Sequence, residues 1–307
     1  MIEVSGLAKS FGEVRAVGGV SFVVPDGVVT GFLGPNGSGK STTMRLMLGL
    51  DHGGGVTTFD GRRLTDVVSV TRTVGAHLDA KYFHPKRTAR AHLRMLATEA
   101  RVPDARVDEV LEVFGLTSVS GKRPKGFSLG MGQRLGLAGA VLAEPRALML
   151  DEPANGLDPQ SIHWMRDFLK AYAERGNAVL VSSHLLSEMQ LMADHVVVIA
   201  KGVLVADGSM ADLVASSARN DVLVRTRPED RQVLLEGLSA AGAVARAEGV
   251  DGVSVVGAQP GEVGLLAFSV GVPVLELMAR RASLEQAFLE LTEGQEQFRT
   301  GATGGVA

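Results

Sequence analysis

From Ile2 to Val24 apolar and polar residues alternate in short runs, Ile2-Glu3-Val4 and Val20-Ser21-Phe22-Val23, broken by Gly12, Gly18 and Gly19. A period of two puts successive side chains on opposite faces, so these runs predict short antiparallel strands joined by turns. A turn-rich patch, Asp51 to Gly55, precedes Val56-Thr57-Thr58-Phe59 and the turn Asp60-Gly61. The two regions together predict a small antiparallel sheet. The period then becomes helical over Thr88 to Arg101 and Asp104 to Phe114, with Thr88 and Asp104 as candidate N-caps and Pro103 between the helices. Apolar strands at Ala147 to Leu150, Ala178 to Val181 and Val196 to Ala200 alternate with helices at Pro159 to Arg175 and Leu185 to Ala193. That alternation predicts an α/β fold with a mainly parallel sheet covered by helices.

Near Gly208 the pattern changes. Asp221 to Arg225, Glu229 to Leu238, Val244 to Ala247, Val253 to Val256, Glu262 to Phe268, Val272 to Leu277 and Ser283 to Leu291 predict strand-helix-strand-strand-helix-strand-helix, a C-terminal α+β accessory domain. The expected division is residues 1–215, 216–294 and a disordered tail, 295–307, ending Gly-Ala-Thr-Gly-Gly-Val-Ala.

Composition narrows the classes. At 307 residues the chain has room for about two domains, each able to bury a core. A formal net charge of -3 supplies no general basic field, so no nucleic-acid partner is expected and any affinity for phosphate has to be local. Without cysteine, disulfides, zinc ribbons and thiol catalysis are excluded. Met1 to Ser10 is strand-like and has no apolar signal core, and no stretch approaches the roughly 18 apolar residues that span a bilayer. If the protein serves transport, the pore is expected on another chain.

The run Gly34-Pro35-Asn36-Gly37-Ser38-Gly39-Lys40-Ser41-Thr42 fits G-x-x-x-x-G-K-[ST] and follows the apolar stretch Val28 to Leu33. That context reads as a strand-to-helix phosphate cradle rather than a chance match in a glycine-rich loop, and ATP is its expected ligand. Small residues let consecutive N–H groups converge on an anion while the helix dipole points there. Lys40 adds a charge that reaches the terminal phosphates. The Ser41 hydroxyl is placed to hold a magnesium ion bridging phosphate oxygens. Further on, Leu148-Met149-Leu150-Asp151-Glu152-Pro153 is an apolar strand ending in two acids. Alternation aims Asp151 at the metal and Glu152 at the water that attacks the terminal phosphorus; the bland alternative is two exposed acids at a strand end.

With these two motifs the chain resembles an ATP-binding subunit of the ABC transporter family over residues 2 to 215. The resemblance implies a P-loop fold with a small antiparallel β subdomain and a helical subdomain. Phe127-Ser128-Leu129-Gly130-Met131-Gly132-Gln133-Arg134 is similar to the family's signature, commonly L-S-G-G-Q, and keeps Ser128 and Gly130 for a phosphate at a helix N-terminus. Asn155-Gly156-Leu157-Asp158 resembles the D-loop, which implies that Asp158 lies along a subunit interface. His184 stands where the family's switch histidine senses the terminal phosphate; the other six histidines receive no role. Phe11 occupies the place of the aromatic residue that stacks on adenine, or else belongs to the first sheet's core. Asp79 stands where most members carry a glutamine that touches magnesium, so the metal role passes to Asp79 as a carboxylate. Thr73 to Leu96, the variant signature and Ser283-Leu284-Glu285-Gln286-Ala287-Phe288 resemble bacterial multidrug or antibiotic-resistance exporters.

The resemblance further implies a head-to-tail homodimer with each ATP between Lys40 and Asp151 of one copy and Ser128 and Gly130 of the other. It also implies peripheral attachment to the cytoplasmic face of a membrane through separate permease subunits, contacted between Asp79 and Arg101. Lys81, Lys86 and Arg87 there would face lipid headgroups, partner acids or solvent. The competing reading is a non-transport ATPase acting on ribosomes or DNA, which usually carries two engines or a long coiled-coil insertion, neither evident in this sequence. A regulator with little turnover is disfavoured by Glu152 and His184.

Overall fold

The computed structural model describes residues 1–79, 83–216, 221–280 and 284–292. The expected tail 295–307, Lys81 and Ser283 lie outside them. In chain order the elements begin with β1 (Ile2–Phe11), β2 (Val14–Val24), β3 (Val29–Leu33), α1 (Lys40–Met47), β4 (Gly54–Phe59), α2 (Val70–Thr73), β5 (Val74–His77), α3 (Ala89–Ala100), α4 (Asp104–Val113) and α5 (Leu129–Val141). They continue with β6 (Ala147–Asp151), α6 (Pro159–Glu174), β7 (Ala178–Ser183), α7 (Leu186–Met192), β8 (His195–Ala200), β9 (Val203–Ser209) and α8 (Met210–Ser216). The rest are β10 (Asp221–Arg225), α9 (Arg231–Ala240), β11 (Val244–Glu248), β12 (Gly252–Val256), α10 (Pro260–Ser269), β13 (Glu276–Arg280) and α11 (Leu284–Thr292).

Contacts divide the chain into one unit built on Met1–Met210 and a second, Ala211–Glu290. In the first, a six-stranded sheet runs β5-β6-β7-β3-β8-β9. Its strands pair in parallel except for the β8–β9 edge. All five residues of β3 are buried, as expected of a central parallel strand covered on both faces. A three-stranded antiparallel sheet, β2-β1-β4, packs beside it. One core joins the two through Ile2, Phe22, Phe32, Met44, Met149, Leu180 and Val197, with the Phe22 and Phe32 rings stacked at 5.4 Å. That shared core fixes where the loop after β3 emerges relative to β2. This is the mainly parallel α/β fold with a small antiparallel sheet that the sequence predicts.

The second unit holds an antiparallel sheet, β11-β12-β10-β13. Val222, Val224, Val253 and Val255 meet Leu234, Leu238, Val263 and Ala267 of α9 and α10 in its core. On the other face Arg280 bridges Asp221 and Glu248.

Several sequence-based boundaries move. The first two strands extend over ten and eleven residues rather than the short runs expected. Thr88 caps α3, accepting from Ala91 N at 3.2 Å, but Pro103, not Asp104, is the N-cap of α4. Asp104 instead sits in the first turn, where its carboxylate complements the helix dipole. The strand expected at Val272 to Leu277 begins only at Glu276. Val272 is buried in the core against the helices, and Pro273 has no N–H to give a ladder. β9 and α8 were not expected at all.

Candidate functional site

β3 delivers the chain to Gly34, and α1 starts at Lys40. The intervening turn is held from behind, with Gly202 N donating to Ser38 O at 2.9 Å. Gly39 has a φ of 102° and a Cβ there would lie 2.5 Å from Ala16 O, so backbone and space both demand glycine. Asn36 and Gly37 stand exposed at the tip of the loop. Lys40, only 8% exposed, folds back to donate to Gly34 O at 2.6 Å and Pro35 O at 3.3 Å. Burial lowers its pKa from the ordinary 10.5, against the opposing charges of Glu152 and Asp151. Ser38 Oγ is buried and has no hydrogen-bond partner among the described residues. A desolvated cation, an orphaned hydroxyl and a glycine turn fit a phosphate chain.

β6 is buried up to Asp151 and stops there. Ser182 Oγ, on the adjacent β7, donates to Asp151 Oδ1 and accepts from Glu152 N at 2.9 Å. One buried hydroxyl thereby orients both acids. Glu152 turns with a φ of 49°, a left-handed conformation that costs a non-glycine residue of order 1 kcal/mol. Its Oε2 accepts from His184 Nδ1 at 2.7 Å and from His184 N at 3.3 Å. A carboxylate so held can take a proton from water, and the imidazole keeps its Nε2 for another partner.

Ser41 is exposed at the start of α1 and lines one cavity, of about 1100 Å³, together with Asp79, Asp151 and Glu152. Among the described residues no three His, Cys, Asp or Glu side chains converge on a metal site. The donors present are hard oxygens, few in number, which suits magnesium carried in with phosphates rather than a dedicated protein cage. Thr42 follows Ser41 in α1. Phe11 is 54% exposed at the end of β1, outside the core, with Lys9 Nζ 5.0 Å from its ring centre.

Ser128 caps α5, accepting from Met131 N at 3.2 Å, and Asp158 caps α6, accepting from Ser161 N at 2.7 Å. That backbone bond holds the Asp158 carboxyl below its usual range. A Cβ on Gly130 would lie 3.1 Å from Gly156 O, so the start of α5 packs beside the loop Asn155 to Asp158 within one chain. Among the described residues no hydrogen bond or ion pair joins Ser128 or Gly130 to residues 34–42. Three residues that bond or pack against these groups were not singled out from the sequence: Ser182, which belongs to no quoted motif; Gln133, quoted near the end of one; and His77, set aside with the other histidines.

Fold and loop define a P-loop ATPase. Residues 17–155 match the family described as ABC transporter, and residues 220–285 match a domain described only as of unknown function. Over 300 residues the chain is 33% identical to the bacitracin transport ATP-binding protein BcrA of Bacillus licheniformis, covering 96% of this chain and 98% of that one. Over 302 residues it is 32% identical to the Nod factor export ATP-binding protein I of Burkholderia lata, covering 96% and 98%. A solved ATP-binding subunit of an ABC transporter superposes with a TM-score of 0.65 at 28% identity, covering 70% of this chain and 92% of that one. The chain belongs to the family of ABC transporter ATP-binding proteins. It is an ATPase, and among its described residues no helix is long and apolar enough to cross a membrane.

Proposed function

We propose that this chain hydrolyses ATP to power export of an antibiotic-like small molecule through separate membrane-spanning permease subunits. In this reading it works as a head-to-tail homodimer on the cytoplasmic face of the membrane. The observation that carries the reading is the meeting of Lys40, Asp151, Glu152 and His184 at one end of the parallel sheet, with Ser128 and Gly130 left without a link to residues 34–42. Half of an ATP site is present in each place. Transport and export by relatives that match nearly the whole chain support the direction and the class of cargo. Residues 1–215 are the ATP-binding domain in this reading, and 216–294 an accessory domain.

Backbone N–H groups from Gly34 to Gly39, with Asn36, Gly37 and Ser38 at the tip, receive the phosphates, and Thr42 supports them from the first turn of α1. Lys40 exchanges its carbonyl partners for terminal phosphate oxygens, regaining as an ion pair what burial costs it. Phe11 offers a face to adenine. Magnesium, when bound, neutralises charge on the transferring phosphate, and Ser41, Asp151 and Asp79 are the residues that would hold it. Glu152 accepts the proton of the attacking water as the water oxygen bonds to the terminal phosphorus and the bridging bond to ADP breaks. His184 fixes that carboxylate and is placed to sense the phosphate. Ser128 and Gly130 of the second copy close the site, and Asp158 lies along the seam.

Glu152→Gln tests this directly. The variant is expected to keep its ATP affinity while losing about 100-fold or more in turnover, and to accumulate as an ATP-bound dimer in size-exclusion chromatography. Normal turnover would remove Glu152 from the chemistry. Recovery of the chain from membranes with a multi-spanning protein supports the transport role; recovery with ribosomes contradicts it.

A further inference from the structure

His77 ends β5, and its ring lies against α5. A Cβ on Gly136 would fall 2.0 Å from its Cε1, so the helix can come this close only where it carries no side chain. The His77 side chain is buried, and its Nε2 meets Gln133 Oε1 at 2.7 Å. Gln133 turns its amide nitrogen the other way, to Glu152 O at 3.2 Å and Asn155 O at 3.5 Å. Both of those groups are carbonyls and can only accept. The amide orientation is therefore settled, Oε1 is left as an acceptor, and His77 Nε2 has to carry the proton.

The contacts thus run from the strand before Asp79, through the signature helix, to the backbone of the turn that aims Glu152. That turn holds Glu152 at a φ of 49°, a conformation that persists only where neighbours over-determine it. We propose that His77 is a positioning residue for hydrolysis: by holding Gln133 it keeps the Glu152 turn in the orientation in which the carboxylate meets His184. No charge moves through His77 and it touches no reacting atom. The proposal rests on the reading of Glu152 as the base.

The test is steady-state ATPase kinetics of the full chain with His77→Leu, Gln133→Leu, both together, and His77→Gln, whose amide offers a donor at similar reach. A misplacement of about 1 Å at a reacting group costs about 100-fold, so a slackened turn is expected to lower kcat about tenfold in each single Leu variant. KM for ATP is expected to stay within about twofold, because the phosphate loop is untouched. The double variant should be no slower than the slower single one, since the two residues act as one link. His77→Gln should recover most of kcat. Unchanged kcat in His77→Leu, multiplying losses in the double variant, or no recovery in His77→Gln each overturns the proposal. Should His77→Leu lose its cooperative melt, Gln133→Glu carries the test: it keeps the oxygen that accepts from His77 but loses the donor to Glu152 O. Its kcat should fall as in Gln133→Leu, and parental kcat would refute the link. Glu152→Gln measured alongside separates the two readings: if it is inactive and His77→Leu is not, only the positioning role falls.

Discussion

Lys40 keeps an ammonium where little water reaches it, donating to two carbonyls of its own loop while Asp151 and Glu152 pull on its charge from across the site. Such a residue is set for a phosphate and costs stability without one. The sign of that cost is testable. Burial lowers the folded-state pKa below the ordinary 10.5, so the unfolded chain holds the proton more tightly. The penalty is present in full below the folded pKa and is relieved as pH rises towards 10.5. Lys40→Met should therefore raise the Tm of the nucleotide-free chain by a few degrees near pH 7, with the gap to the parent narrowing at alkaline pH. The ATP-dependent rise in Tm should vanish. A lower Tm in the nucleotide-free variant would mean that the bonds to Gly34 and Pro35 outweigh the burial.

At the scale of elements, the parts that carry one-dimensional signals were legible. β3 and β6 are short apolar runs bounded by glycine or acids, and the phosphate loop and the acidic pair are contiguous in sequence. Thr88 and Ser128 announced the helices they cap. Legibility failed where the third dimension decides. Val272 is apolar because it packs under helices, not because it lies in a strand, and β9 is a half-exposed antiparallel edge with little hydrophobic pattern. His77 and Gln133 stand 56 residues apart and meet only once β5 and α5 pack. Ser182 takes its meaning from a neighbouring strand. In the second unit, Arg280 and Asp221 likewise join strands distant in sequence. The Asp221 side chain is only 4% exposed, with Ser254 Oγ and Arg280 as its partners. Arg280→Ala leaves that carboxylate buried without its counter-charge, a loss of about 3 kcal/mol. Hydrogen exchange should show reduced protection across β10 with unchanged ATP affinity; intact protection would show that Asp221 does not depend on Arg280.

For the molecule as a whole, the residues that would hold and cleave ATP divide into two groups. One lies around the phosphate loop and the ends of β6 and β7. The other, Ser128 and Gly130, opens α5 beside the loop of Asp158, and among the described residues no hydrogen bond or ion pair joins it to residues 34–42. In the proposed function two copies related head to tail would unite them, ATP binding would close the pair and hydrolysis would open it, a movement that a membrane partner would convert into export. The most direct measurement is turnover per chain as a function of protein concentration, for the parent and for Ser128→Arg. Turnover that rises with concentration in the parent and stays near zero throughout in Ser128→Arg is the predicted result. Turnover independent of concentration in both, at the parent's full rate, would contradict the shared site.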